Sequence, residues 1–445
     1  MENWQAIMAT ATFIGAITLV MSDWIHLTVV AFLAALLLVF TNVMTLQEAI
    51  GYISSGYPTL ALFFGVMVLV RAFEPTKIFD YLATQVVLLA KGSGKRLLLG
   101  IVAITTPICA VLPNATTVML LAPLLPPMAA EIGVNFVPLL ILMVFVANSA
   151  GLLTLVGDPA TFVVGDAINI SFLDYLKQLS LGGVVAIVTI LLMLPFLFPQ
   201  IWHTRLPDLD HLPHPKVNHP RVLALGALII AFVLVFFVIG ETLPIPISPA
   251  AVALMGAALA LLLAHLSKID TVNNILRDVD WSTLIFFMGI FVLIGGLQKT
   301  GVISQLSQLL AFILGQNIAL GAIALLFVVG ILSSVVPNIP LVVAMVPLLK
   351  EYLVNAGLAG PEVLQPGFQG TLPPEVLPLF FAMMFGATLG GNGTLVGASS
   401  NIVAAGISEQ HGKQIGFKVF LRLGMPVMAM QLIAAAIYVI VRFLL

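Results

Sequence analysis

Long apolar runs separated by short polar breaks fill this chain from end to end. In the first half they fall near 8–22, 25–41, 58–72, 97–112, 117–130, 136–150, 152–165 and 180–201. In the second half they fall near 222–240, 248–266, 282–297, 318–336, 339–349, 376–390, 393–406 and 423–445. The runs are continuous rather than alternating, which predicts helices and not barrel strands. A membrane span takes about 20 apolar residues. Several runs are shorter and carry Pro or Gly. They are expected to form re-entrant hairpins or broken helices, which persist at membrane depth only where protein or a water-filled cavity covers them.

The polar stretch HTRLPDLDHLPHPKVNHPR (203–221) divides the pattern almost in half. It predicts a membrane unit at 1–202, a linker at 203–221 and a second membrane unit at 222–445. The halves resemble each other. PTLALFFGVMVLV (58–70) matches STLIFFMGIFVLI (282–294), and VLPNATTVMLLAPLL (111–125) matches VVPNIPLVVAMVPLL (335–349). Both pairs are displaced by 224 residues. TLVGDPATFVV (154–164) matches TLVGASSNIVA (394–404) at a displacement of 240, the excess fitting a longer loop around 351–375.

Basic residues mark cytoplasmic loops. Loop 71–97 carries Arg71, Lys77, Lys91, Lys95 and Arg96, whereas its counterpart 298–317 carries only Lys299. Loop 166–178 is acidic apart from Lys177, whereas its counterpart 408–422 carries Lys413, Lys418 and Arg422. The opposite bias of matching loops predicts inverted repeats with a cytoplasmic linker, an architecture in which solute binds between the repeats near the midplane.

Composition supports the membrane reading. Of 445 residues, 61% are hydrophobic and only 8% charged, with mean hydropathy +1.17, too few charges to coat a soluble surface. The chain is therefore expected to be an all-α polytopic protein of about 10–12 transmembrane helices in a plasma (inner) membrane, its lipid bilayer the main partner. A net charge of −2 leaves no footprint for nucleic acid. The single cysteine, Cys109, excludes an internal disulfide and an all-cysteine metal site. His211, His214 and His219 lack regular spacing, and no metal site is expected. The segment MENWQAIMAT has no basic n-region, so the first run is expected to be a retained helix. KGSGKR (91–96) lacks the Gly and Ser/Thr that a phosphate loop needs. No cofactor is expected. Energy would come from an ion gradient or from a separate cytoplasmic ATPase subunit.

The polar residues inside the runs carry the candidate chemistry. Pro113-Asn114 and Pro337-Asn338 occupy equivalent positions, and proline frees carbonyls that Asn and Thr can satisfy or share with a solute. The segments VANSAGLLTLVGDPATF (146–162) and GATLGGNGTLVGASSN (386–401) supply Asn148, Ser149, Thr154 and Thr161, and Asn392, Thr394, Ser399, Ser400 and Asn401. Gly157, Gly390, Gly391 and Gly393, with both hairpin prolines, are expected to lend the backbone unusual angles, while Gly386 and Gly390 also suit close helix packing. The candidate binding set is Asn114, Thr116, Thr117, Asn148, Asn338, Asn392, Thr394, Ser399 and Asn401. Asp158 is the one acid deep in such a segment. It is a candidate proton carrier or the N-cap of a half-helix, and its counterpart is Ala398. Cys109 is a weak candidate ligand for a thiophilic solute. Arg71 and Lys350 read as snorkelling helix ends.

GGNGTLVGASSNIVAAGISEQHG (390–412), FLRLGMPVM (420–428) and LTLVGDPATFVVGDAI resemble the arsenite permease (ArsB)/P-protein branch of the ion transporter superfamily, which also holds NhaD-type sodium/proton antiporters and divalent-anion symporters. The resemblance implies a scaffold and a transport core with two re-entrant hairpins and two discontinuous helices, often in a homodimer. It places hairpin tips at Asn114-Ala115-Thr116 and Asn338-Ile339-Pro340, and helix breaks at Gly157-Asp158-Pro159 and Gly391-Asn392-Gly393. Many relatives carry Asp-Asn where this chain has Pro-Asn, so both hairpin carboxylates are absent. The set suits a neutral polyhydroxy solute or an anion better than a bare cation. The expected function is proton-antiport export of trivalent metalloid hydroxides, arsenite and antimonite. The alternative is a sodium- or proton-coupled carrier of another inorganic ion or small anion.

Overall fold

The structure, a computed structural model, describes residues 3–22, 24–205, 217–365, 368 and 370–445. Most of the linker, with His211 and His214, lies outside the described residues. The first half contains α1 (Asn3–Ser22), α2 (Leu27–Phe40), α3 (Leu46–Ser55), α4 (Tyr57–Phe73), α5 (Ile78–Ala90), α6 (Gly94–Cys109), α7 (Asn114–Leu121), α8 (Leu125–Glu131), α9 (Phe136–Ala150), α10 (Pro159–Ala167), α11 (Phe172–Gln178) and α12 (Ser180–Leu197), and the short α13 (Pro199–Trp202) follows. The second contains α14 (Pro220–Ile239), α15 (Pro249–Ser267), α16 (Val272–Arg277), α17 (Trp281–Lys299), α18 (Val302–Leu314), α19 (Ile318–Ser333), α20 (Asn338–Asn355), α21 (Leu377–Gly390), α22 (Ser399–Gln410) and α23 (Phe417–Val439). No strand occurs among the described residues beyond an isolated Ser93–Arg205 bridge.

Eight helices are long and apolar enough to cross a membrane, and shorter apolar helices such as α2, α19 and α21 join them. The segment holding α9 is 83% buried and that holding α14 only 22%, which separates a central helix from a lipid-facing one. The runs at 117–130, 152–165, 339–349 and 393–406 become hairpin arms and half-helices instead of spans.

The halves interlock by exchange. Helix α4 packs on α15 and α17 on α2, while α12 packs on its own counterpart α23. Two glycines in equivalent positions make the exchanged pairs close. A Cβ on Gly65 would lie 2.6 Å from the Ala253 carbonyl carbon, and one on Gly289 would lie 2.7 Å from Ala31 Cβ. Helices α4 and α17 run antiparallel: Arg71 near the end of α4 bonds Asp278 just before α17, and Gly56 just before α4 sits against the Phe291 ring of α17. Equivalent helices running in opposite senses are what an inverted duplication requires.

Candidate functional site

The same backbone device appears twice at the centre. Pro113 caps α7 at φ −53°, ψ 141°, and Pro337 caps α20 at φ −52°, ψ 139°. Asp158 caps α10 at φ −144°, ψ 134°, and Ala398 caps α22 at φ −143°, ψ 146°. Thr154 Oγ1 donates to the carbonyl of Ala110 and Thr394 Oγ1 to that of Ser334, each acceptor three residues before a hairpin proline. Each hairpin arm packs on the other half's half-helix, α7 on α22 and α20 on α10. Two small polar sites result, each built from a hairpin tip, a central helix end and a half-helix.

The first site is closed by amides. Asn148 Nδ2 donates to Asn392 Oδ1 and Asn401 Oδ1, both at 3.0 Å. Its Oδ1 accepts from Asn114 Nδ2 at 3.2 Å and from Ser400 Oγ at 2.5 Å. Asn401 Nδ2 reaches the carbonyls of Gly391 (2.8 Å) and Thr394 (2.9 Å), stapling the helix break. Asn392 Nδ2 donates to Gln431 Oε1 (2.9 Å) and Ser149 Oγ (3.2 Å). Gln431 Nε2 in turn reaches Ser149 Oγ (2.7 Å) and the Ala186 carbonyl (3.1 Å). All of these side chains are buried. Satisfied networks of this kind fix one geometry.

The second site replaces amides with a carboxylate. Asp158 is fully buried and makes no side-chain capping bond. Its oxygens accept from Thr388 Oγ1 at 3.1 Å and from Asn338 Nδ2, 3.4 Å from each oxygen. Thr388 stands where Asn148 stands in the other half, and Thr161 where Asn401 stands. Thr161 Oγ1 is buried without a geometrically sound hydrogen-bond partner.

Several sequence expectations change here. Asn392, Asn401 and Thr394 make hydrogen bonds to side chains and carbonyls around the breaks. Ser399 is half-buried and makes no side-chain hydrogen bond among the described residues. Its neighbour Ser400 is the one that enters the network. Thr117 is buried against the core, whereas Thr116 lines an open cavity. Of the two hairpin-tip amides, Asn114 Nδ2 uses one of its two protons, and Asn338 Oδ1 accepts from no protein group among the described residues.

The break glycines do not have the unusual angles expected. None of Gly157, Gly390, Gly391 or Gly393 has a positive φ, and Gly391 sits at φ −55°. They are small because neighbours are close: a Cβ on Gly390 would meet the Gly330 carbonyl oxygen at 2.2 Å, and one on Gly157 the Cys109 carbonyl oxygen at 2.8 Å. Cys109 is not a free ligand. Its Sγ donates to the Ala147 carbonyl at 3.0 Å, and Ser333, its counterpart, donates to the Ala387 carbonyl at 2.5 Å. A hydroxyl does in one half what the thiol does in the other. Arg71 is not a snorkelling end either, since Asp278 (2.7 Å), Asp270 (3.1 Å) and Glu74 (3.2 Å) surround its guanidinium.

Gln431 and Thr388 were not anticipated. Thr388 was findable, because the 240-residue displacement maps Asn148 onto it. Gln431 offered only the weak signal of a lone amide in an apolar helix. Its counterpart, by the same displacement, falls near the apolar end of α12, so no repeat pair announces it.

Two vestibules approach the sites from opposite ends of the α4–α17 pair. One, of about 470 Å³, is lined by Met67, Arg71, Lys77, Asp80, Thr116 and Asp280, and reaches the first hairpin tip. On the other side, cavities of about 640 and 170 Å³ share Tyr52, Ser55, Gln298, Val346 and Pro347, and the smaller one is also lined by Thr59 and Asp166. A second ion pair lies there, Lys299 Nζ to Glu48 at 2.7 Å. The Lys299 ammonium pulls the Glu48 carboxyl down to about 2, and the Arg71 guanidinium lowers that of Asp278. Among the described residues, no group of three or more His, Cys, Asp or Glu is placed to hold a metal ion.

Comparison with known proteins agrees with this architecture. The CitMHS profile, described as "Citrate transporter", matches residues 17–366. An uncharacterized transporter of Synechocystis is 73% identical over 98% of this chain and 97% of its own. An uncharacterized transporter of Mycobacterium bovis is 31% identical over 99% of both chains. The human P protein is 26% identical over 98% of this chain, which spans 60% of that longer protein. A solved structure, the YdaH transporter of Alcanivorax borkumensis with its unusual topology, superposes with a TM-score of 0.59 over 88% of this chain and 86% of its own, at 11% identity, and so shares the fold. With its profile match and full-length relatives, this chain belongs to the CitMHS citrate transporter family, within the ArsB/NhaD-type ion transporter superfamily.

Proposed function

We propose that this transporter moves small, oxygen-rich solutes that are uncharged when bound, by proton antiport and alternating access, with arsenite and antimonite hydroxides as the leading cargo and export as the direction. The observation that carries this reading is the chemistry of the paired sites: buried amides and hydroxyls, one carboxylate, and no Lys or Arg side chain in contact with them among the described residues. A polyanion in such a place would have no positive partner, and burying unpaired charge costs heavily. The vestibules add to this. The first holds Arg71 and Lys77 against Glu74, Asp80, Asp278 and Asp280, an acidic balance that repels anions.

Asp158 is the coupling group in this proposal, as the one acid in the two sites. Asn114 and Asn338 bind solute with Thr116 at the mouth, and Asn148, Asn392, Asn401 and Thr394 support them. By the distribution of basic loops, the linker and the Arg71 vestibule face the cytoplasm of a plasma membrane. The halves 1–202 and 222–445 act as inverted units in this scheme, and a homodimer is the assembly proposed from the superfamily resemblance. The test is arsenite accumulation in a sensitive strain lacking its own pump. Unchanged accumulation on expression sinks the metalloid cargo. Nucleotide-free transport by the purified chain in liposomes separates a secondary transporter from a subunit that depends on an ATPase.

The family match supports a second reading, a carboxylate solute of the citrate type. Given the acidic mouths, such a solute would enter with its charge neutralised by a cation. Citrate uptake that depends on an added cation, with no arsenite export, would favour it.

A further inference from the structure

We propose that Asn338 is the specificity-determining residue that turns the protonation of Asp158 into a reversal of the hydrogen-bonding face shown to the solute. This rests on the coupling role of Asp158 given above. It narrows the cargo to solutes bearing both O–H donors and oxygen acceptors.

The first tip has a fixed polarity. Asn401 spends both amide protons on the backbone carbonyls of Gly391 and Thr394, which can only accept. Its Oδ1 must therefore face Asn148 Nδ2, and Asn148 Oδ1 must face Asn114 Nδ2. At the far end, the N–H of Ala115, which can only donate, lies 2.8 Å from Asn114 Oδ1. Backbone groups at both ends pin the chain of amides, so its orientation does not rest on a choice of how one amide is turned. Asn114 is left with one N–H for a solute, whatever the pH.

The second tip is pinned at neither end. A charged carboxylate only accepts, so it holds the Asn338 amino group towards itself. Asn338 Oδ1, which accepts from no protein group among the described residues, is then the acceptor this tip would offer a solute. When solvent in a vestibule delivers a proton to Asp158, the acid gains an O–H donor. Thr388 Oγ1 continues to donate to the other oxygen. The new O–H takes Asn338 Oδ1 as its acceptor through a half-turn of the amide, a torsion that is broad and roughly two-fold. The Asn338 N–H groups now face the solute. A solute hydroxyl that donated to Asn338 loses its acceptor while the first tip is unchanged, so proton and solute oppose each other's binding. On release the proton returns to solvent and the amide turns back.

The groups facing Asp158 leave this switch undisturbed by other charges. They are the uncharged Asn338 of α20 and Thr388 of α21, while the nearby Tyr175 of α11 and Cys109 of α6 are uncharged donors spent on the Leu152 and Ala147 carbonyls. No Lys, Arg or His is within ion-pair distance of it among the described residues.

Infrared difference spectra between acid and neutral pH, on protein in lipid vesicles with no solute present, test the switch. The expected result is a protonated-carboxyl stretch that Asp158→Asn removes and that Asn338→Leu, which cannot accept a hydrogen bond, shifts to higher frequency. Asn338→Ser, smaller and still able to donate or accept, serves if the leucine variant does not fold, and should give a smaller shift. If Asp158→Asn removes the band but its position is the same in the wild type and both Asn338 variants, the switch is overturned while the titration of Asp158 stands. If the band survives in Asp158→Asn, the coupling role falls and takes the switch with it.

Discussion

Asn148 and Thr388 occupy equivalent points on α9 and α21, between equivalent hairpin tips and half-helices, yet their surroundings differ in kind. Around Asn148, amides from both halves close on one another and on backbone carbonyls. Around Thr388 there is one carboxylate, reached by the Thr388 hydroxyl at 3.1 Å and by the Asn338 amide at 3.4 Å, and a threonine hydroxyl that has no hydrogen-bond partner among the described residues. The two halves use one backbone device but carry different side chains, amides in one and a carboxylate in the other. Rigidity comes from complete satisfaction. Adjustability comes from a group whose charge can change and whose partners can turn.

The comparison can be broken at several points. The largest effect is expected from Asp158→Asn, which should reduce pH-gradient-driven transport in vesicles to background while leaving solute counterflow measurable. Loss of both would make Asp158 structural instead. Next is Asn148→Ala, which strips partners from Asn114, Asn392, Asn401 and Ser400 at once. It should cost about 3 kcal/mol by denaturant or thermal unfolding, whereas Thr388→Ala should cost about 1 kcal/mol, since it removes one bond. Equal costs would remove the contrast between the halves.

A smaller effect belongs to the outer ion pair. Glu48 titrates low because Lys299 hydrogen-bonds to it, with its carboxyl at about 2 against an ordinary 4.5. A depressed carboxyl contributes stability that is present above its unfolded value and is lost as pH falls through the folded one. Lys299→Met should therefore narrow the stability gap to wild type only between about pH 4.5 and 2, and should cost less than ~1 kcal/mol at neutral pH because the pair is partly exposed. The smallest effect is expected from Cys109→Ser, within about 1 kcal/mol of wild type in unfolding, because Ser333 already fills the same role.

The repeat, the hairpins and the breaks were all legible in the sequence, because each leaves a mark in the chain: a displaced duplicate, a proline beside asparagine, a glycine cluster. The partition of labour between side chains was not. Asn392 and Asn401 look like binding residues in the sequence, and only the three-dimensional structure shows the side chains and carbonyls they bond to. Ser399 and Ser400 are adjacent, and the turn of α22 decides which one enters the network. The glycines misled for a related reason. Composition marks a position as small, but only the approach of the Gly330 and Cys109 carbonyls shows that smallness, and not backbone freedom, is what the position needs.

The likeness of Cys109 and Ser333 has a practical consequence. A chain with a single thiol, replaceable by the hydroxyl its own other half uses, has a ready cysteine-free background. Pairs of cysteines could then be introduced at lipid-facing or vestibule positions of the two hairpins and tagged with spin labels, without an interfering thiol in the core. The distance between the two labels would report directly on which vestibule is open as pH and solute are varied.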